Sequence, residues 1–305
     1  MTTLEALDVE SGDGTRVRVW RRVPEGATEA VLFVHGATYG GRAAFAPEGH
    51  SWLDDVAAAG RAAYTLDARG YGDSERPPEL DAPAGDADPV VRAETAARDA
   101  AAALETARDE FETVHLVGYS WGSMIAGTML DDLAVEVASL VQYAPVYSPS
   151  ADRESDFSPG DPPAAYRTVT EAETRERWAS QRPDAVPEEA FEAFWGTLLD
   201  SGQHAGEGRV VAPNGTLVDL TAAVDEPVYD PGAIGVPTLV VRGSLDTASR
   251  RPDALALYDA VGADDRADTA IAGGTHFMQF EAPRERLVGT VRAFHDRVDG
   301  DDHAG

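Results

Sequence analysis

The sequence predicts an α/β protein: a mostly parallel, eight-stranded sheet flanked by helices and interrupted by one helical insertion. Three observations carry that expectation. Short apolar, β-branched runs alternate with helical patterns, as βαβ units require. One run, Val114-His115-Leu116-Val117, passes directly into Gly118-Tyr119-Ser120-Trp121-Gly122 and then a small-residue helix start at Met124-Ile125-Ala126-Gly127. The alternation stops near residue 145 and resumes near 235, with prolines at 149, 159, 162, 163, 183 and 187 punctuating the gap.

Taken in order, segments 4–10 and 15–22 read as strands, and Ser11-Gly12-Asp13-Gly14 between them suggests an antiparallel hairpin. Strands follow at 30–34, 62–66, 113–118, 137–143, 238–242 and 267–271. Helices are expected at 51–59, 90–110, 120–130, 253–261 and 284–298. The 90–110 segment is alanine-rich, giving strong helix propensity with a thin apolar face. Inside the gap, 171–180 and 188–201 carry helical patterns rich in aromatics (Trp178, Phe191, Phe194, Trp195). Residues 1–144 and 235–305 therefore read as one core domain, and 145–234 as a helical cap over the sheet edge that holds Ser120. A purely irregular connection of about 90 residues would be uncommon without a function. Residues 299–305 read as a frayed polar tail.

Composition narrows the chemistry. With 305 residues, 43% of them hydrophobic, the chain can bury a full core. It contains no cysteine, which excludes disulfides, thiol catalysis and Cys-ligated metals. The N-terminal segment lacks a basic region followed by an apolar one, and no apolar run approaches the roughly 20 residues of a membrane span. A soluble, cytoplasmic protein with no membrane partner is expected. Acidic residues number 54 against 25 basic ones, all arginine, for a net charge of −29. Such a chain repels phosphate backbones, so no nucleic-acid partner is expected. The acids are spread along the chain, as in proteins adapted to molar salt, where the Debye length is about 3 Å and self-repulsion is screened.

The chemistry-bearing residues lie at strand ends. A serine on a sharp strand-to-helix turn exposes its hydroxyl, and the helix start behind it leaves backbone N–H groups free to receive an oxyanion. Serine is a weak nucleophile that needs a base, and the base needs an orienting acid. Asp246 follows the 238–242 strand through Gly243-Ser244-Leu245, and His276 follows the 267–271 strand through Ala272-Gly273-Gly274-Thr275. Both therefore sit at the carboxyl edge of the sheet with Ser120. The expected oxyanion donors are the backbone N–H of Trp121 and that of Ala37, with Thr38 next, in the loop His35-Gly36-Ala37-Thr38-Tyr39-Gly40-Gly41. His35 reads as structural. His50, His115, His295 and His303 carry no catalytic pattern, and His204 either touches substrate or faces solvent. Thr38, Trp178, Phe191 and Trp195 are candidate substrate contacts; the three aromatics, with Phe194, fit equally well as the cap's own core.

These segments resemble the α/β-hydrolase superfamily over nearly the whole chain. His35-Gly36 is similar to its oxyanion loop. Asp67-Ala68-Arg69-Gly70-Tyr71-Gly72-Asp73-Ser74 is similar to the segment after the fourth strand in capped members. Gly118 to Gly122 resembles the nucleophile elbow, and Gly274-Thr275-His276-Phe277 with Glu281 and Pro283 the histidine loop. The resemblance implies a cap-bearing serine hydrolase acting on a small-molecule ester or lactone, with no metal or organic cofactor. Ser120 in place of aspartate argues against the epoxide hydrolase and haloalkane dehalogenase branches. Proline iminopeptidases share a Ser-Trp-Gly-Ser elbow but read HGGPG where this chain has His35-Gly36-Ala37-Thr38-Tyr39; Glu171, Glu173 or Glu189 could serve such an enzyme by capturing a substrate amine. C–C bond hydrolases share the capped form, and a non-catalytic ligand-binding fold is the remaining alternative.

Overall fold

The structure, a computed structural model, describes residues 2–151, 157, 158, 160 and 163–302. Its strands are β1 (Glu5–Glu10), β2 (Arg16–Arg22), β3 (Glu29–Val34), β4 (Ala62–Asp67), β5 (Thr113–Tyr119), β6 (Ser139–Tyr143), β7 (Tyr166–Thr170), β8 (Arg209–Pro213), β9 (Thr238–Gly243) and β10 (Arg266–Ile271). Eight of them form one sheet in the order β1-β2-β4-β3-β5-β6-β9-β10. The predicted hairpin pairs β1 with β2 in register Glu5 to Arg21 and Glu10 to Arg16. β2 is antiparallel to both neighbours and every other pairing is parallel. The chain leaves β3 for β4 on one side and returns to β5 on the other. Loops after β3 and β5 thus part at a switch point, where crevices form in open α/β sheets.

The helices are α1 (Gly41–Phe45), α2 (Trp52–Ala58), α3 (Ala93–Arg108), α4 (Trp121–Asp131), α5 (Glu171–Gln181), α6 (Glu188–Leu199), α7 (Gly215–Asp225), α8 (Arg251–Ala260) and α9 (Arg284–Asp302). Helices α3, α4 and α8 cover one face of the sheet in a core that includes Leu32, Leu116, Trp121 and Ile125. α1, α2 and α9 contribute to the core on the other face, around Phe33, Trp52, Val117 and Val141. The face that α3 buries is almost all alanine, with Leu104 its one large side chain, so small residues rather than bulk set its approach to the sheet. α9 extends through Asp302, where a frayed tail was expected from 299. Asp299 holds Arg61 and His115, which gives that last turn a reason to stay helical. Residues 303–305 lie outside the described residues.

The insertion differs from the all-helical expectation. β7 and β8 form a two-stranded antiparallel sheet, with Tyr166 opposite Pro213 and Thr170 opposite Arg209. Thr168-Val169-Thr170 and Val210-Val211 are β-branched, and pairing with each other supplies the ladder that neither has alone. The insertion also packs in two parts. α5, α6 and the β7–β8 pair build a third core of Trp178, Phe191, Phe194 and Trp195 against Tyr39, Phe277 and Phe280. α7 instead sends Leu220 and Ala223 into the main core beside α3 and α4. Pro159 and Pro162 of the expected proline punctuation, and residues 152–156, lie outside the described residues. Among the described residues no helix is long and apolar enough to cross a membrane.

Candidate active site

The elbow is built by its glycines. β5 ends at Tyr119, and Ser120 adopts φ 55° and ψ −120° before α4 begins at Trp121. Such a backbone costs about 1–3 kcal/mol and persists only where its surroundings hold it. Here Ser120 N–H donates to the Tyr143 carbonyl at 2.9 Å, while the Ser120 carbonyl accepts from Ser123 N–H at 2.9 Å. A Cβ on Gly122 would lie 2.3 Å from the Val34 carbonyl oxygen, and one on Gly36 would lie 2.9 Å from the Ser120 Cβ. The elbow and the loop after β3 therefore touch, backbone against backbone.

Three side chains meet there. His276 Nε2 lies 2.9 Å from Ser120 Oγ, and His276 Nδ1 lies 2.9 Å from Asp246 Oδ2. The other carboxylate oxygen, Oδ1, accepts from Ala248 N–H and Ser249 N–H, each at 2.8 Å. A carboxylate so placed accepts from Nδ1–H, which leaves Nε2 free to accept the serine proton. All three residues are buried. The histidine loop is pinned from both sides: His276 N–H donates to Gln181 Oε1 at 3.0 Å, and the His276 carbonyl accepts from the Tyr119 hydroxyl at 3.0 Å.

Trp121 opens α4, so its N–H has no acceptor within the helix. Its indole donates to Asp219 of α7 at 3.0 Å, and Asp219 also accepts from Ala93 N–H at 2.6 Å and from Arg92. Burial raises the Asp219 pKa, and Arg92 opposes that shift. In the facing loop, His35 Nε2 accepts from Ala68 N–H at 3.1 Å and Nδ1–H donates to the Gly36 carbonyl at 2.8 Å. Burial lowers its pKa, so the imidazole stays neutral and serves as a brace. Thr38 has φ 87°, left-handed for a β-branched residue. It is held by Gln203 Nε2 donating to its carbonyl at 2.9 Å and by Arg167 Nη2 donating to its hydroxyl at 2.7 Å.

A cavity of about 430 Å³ opens over Ser120 and His276, with Ala37, Thr38 and Tyr119 on the core side and Val146, Leu217 and Leu220 among its apolar walls. Trp178, Phe191 and Trp195, expected candidates for this wall, are absent from it. They pack on each other and on the histidine loop: Trp178 stacks on Phe277 at 4.5 Å and meets Phe191 edge-on at 5.3 Å. Their stripe faces the core that the insertion shares with Tyr39, Phe277 and Phe280. His204 is exposed and does not line the cavity. Glu171 pairs with Arg175, Glu173 closes the capping box of α5, and Glu189 is exposed. None of the three reaches the cavity, and among its described lining residues there is no aspartate or glutamate. Residues that the sequence did not single out do reach it: Arg167 and Arg177 lie in its wall, and Gln181 at its edge holds the histidine loop.

A buried Ser-His-Asp relay at the carboxyl edge of an eight-stranded, mostly parallel sheet defines a hydrolase of the α/β class. The chain belongs to the alpha/beta hydrolase family, whose model matches residues 31–290. No curated protein sequence matches it significantly. Solved structures share its fold at low identity. A thermophilic esterase from Thermogutta terrifontis is 18% identical with a TM-score of 0.64, over 96% of this chain and 99% of that one. An esterase from Exiguobacterium antarcticum is 18% identical with a TM-score of 0.66, over 96% and 99%. A bromoperoxidase from Bacillus anthracis is 19% identical with a TM-score of 0.67, over 96% and 100%.

Proposed function

We propose that the protein is a serine esterase that cleaves small or medium carboxylic esters through an acyl-enzyme on Ser120. His276 takes the Ser120 proton as Oγ attacks the ester carbonyl, and Asp246 fixes the imidazole tautomer and offsets its charge. The N–H groups of Trp121 and Ala37 hold the tetrahedral oxyanion. His276 then gives its proton to the leaving alcohol. Water, deprotonated by the same imidazole, attacks the acyl carbon and returns Ser120 to its hydroxyl form. This chemistry calls for no metal or organic cofactor.

The observation that carries the reading is the relay itself, with 2.9 Å on each side of the imidazole. Esters are favoured over N-terminal amides because no described acid lines the cavity to receive a substrate ammonium. Within the same proposal, residues 145–234 serve as the cap over the site, the partner is a small molecule, and the protein works in the cytoplasm at high salt. The test is Ser120→Ala assayed on p-nitrophenyl butyrate, with a fluorophosphonate probe mapped by mass spectrometry. The expected outcome is a loss of about 10⁴-fold or more and an adduct on Ser120 alone. Near-wild-type turnover by a folded Ser120→Ala protein would overturn the reading.

A further inference from the structure

Two cations stand in the wall of the cavity over Ser120, in a chain whose acids outnumber its bases 54 to 25. Among the described residues their partners are all neutral. Arg167 donates to Thr38 Oγ1 at 2.7 Å, to Asn214 Oδ1 at 3.0 Å and to the Pro213 carbonyl at 3.1 Å. Arg177 donates to the Tyr39 hydroxyl at 3.0 Å, and its guanidinium carbon lies 5.2 Å from the centre of that ring and 5.4 Å from that of Phe277. Arg175, two residues earlier on the same helix, takes the usual course for this composition and pairs with both Glu171 and Glu188. Among the described residues, Arg167 and Arg177 make no such pair.

Holding the half-buried Arg167 guanidinium with no carboxylate among its described partners is unfavourable, and the charge of Arg177 faces the same cavity. Burial holds Arg167 below the ordinary arginine range, and the charge of Arg177 pushes in the same direction. An anion placed between them would relieve both effects. The rest of the described wall is neutral and largely apolar, which suits a hydrocarbon chain ending in one planar carboxylate. Arg167 is bonded to Thr38, the residue after Ala37, so its charge lies on the oxyanion-loop side of the site.

We propose that Arg167 and Arg177 form a carboxylate-binding subsite, and that the preferred substrates are esters bearing a free carboxylate, such as half-esters of dicarboxylic acids. The proposal rests on the ester-hydrolase reading above, but its first test does not involve turnover. On folded Ser120→Ala protein at fixed, low ionic strength, titration calorimetry compares monomethyl glutarate with neutral methyl pentanoate. The glutarate half-ester should bind about 10–100-fold more tightly, the range for a hydrogen-bonded ion pair. That margin should collapse in Arg177→Gln and be partly restored in Arg177→Lys. Arg167→Gln should do the same, and Arg177, on the exposed face of α5, carries the test if loss of the Arg167 contacts lowers the melting temperature.

With wild-type enzyme in a pH-stat, the ratio of kcat/KM for the two esters should favour the half-ester, and Arg177→Gln should reduce that ratio mainly through KM. Equal binding of the two esters overturns the subsite, as does a margin that survives both arginine substitutions. Tighter binding of inorganic phosphate than of the half-ester overturns the assignment to carboxylate. Failure of Ser120 to react with a fluorophosphonate overturns the esterase reading instead, and the calorimetric result separates the two.

Discussion

Replacing Asp246 by asparagine tests the relay through a geometric constraint. Asp246 Oδ1 is occupied by the N–H groups of Ala248 and Ser249, each at 2.8 Å, and Oδ2 faces His276 Nδ1. Asparagine has a single acceptor oxygen. Kept on the two loop amides, it turns its NH₂ toward Nδ1, which must then accept. The ring proton moves to Nε2 and points at Ser120 Oγ, so no base remains. The flipped amide would leave two N–H donors facing an NH₂, at about 1–3 kcal/mol for each unsatisfied group, so the loop selects the unproductive orientation. Asp246→Asn should therefore lower kcat by about 10⁴-fold, or about 5.4 kcal/mol of barrier, with little change in melting temperature. Asp246→Ala removes the orienting acid without imposing a tautomer and should retain about tenfold more activity than Asp246→Asn. Both variants are read with p-nitrophenyl butyrate and by their fluorophosphonate labelling rates. An Asp246→Asn enzyme as active as Asp246→Ala, or within tenfold of wild type, would refute the reasoning.

Three further outcomes are expected. The buried Gln203 side chain accepts from Gly40 and Gly72 N–H and donates to the Thr38 and Val211 carbonyls, so Gln203→Ala should cost about 2–5 kcal/mol in urea unfolding from the stranded amides and also lower kcat; an unchanged midpoint would contradict this. Burial holds the imidazoles of His35 and His295 below their ordinary value of 6.5, so the unfolded chain takes up protons there that the native state refuses. Their contribution is complete above pH 6.5 and falls as pH drops below it; His295→Gln should make the decline between pH 6.5 and 5.5 shallower, and an identical slope would count against it. Finally, the melting temperature should rise from low salt to molar KCl as repulsion within a chain of net charge −29 is screened, and a flat or falling profile would remove the salt-adaptation proposal.

The sheet was legible because its signals are local. Each parallel strand except β10 is a short, largely apolar run, and the elbow around Ser120 needs glycines that no other turn explains so well. The meeting of Ser120, Asp246 and His276 could be read from chain order, since all three follow strands that end on the same edge. The β7–β8 pair is hard to read from sequence because both strands are only five residues long, β7 is half-buried, and each gains its identity from the other. The spacing of Trp178, Phe191 and Trp195 announces a helical face but not the neighbour it meets. Arg167 and Arg177 carry no sequence signal at all. Their significance lies in having no acidic partner among the described residues, and that is a property of three-dimensional surroundings.

The divided packing of the insertion bears on how such proteins can be recombined. α7 is mortised into the main body: its Leu220 and Ala223 enter the sheet-side core, and its Asp219 grips the Trp121 indole and the first turn of α3. The portion carrying α5, α6 and the β7–β8 pair packs separately, in a third core that it shares with Tyr39, Phe277 and Phe280. A graft that exchanges everything between β6 and β9 would remove a supporting beam of the elbow along with the roof. A seam set before β7 and after β8 would leave that beam standing, but it would carry away Gln181, Gln203 and Arg167, so a graft there must bring its own braces for the histidine and oxyanion loops.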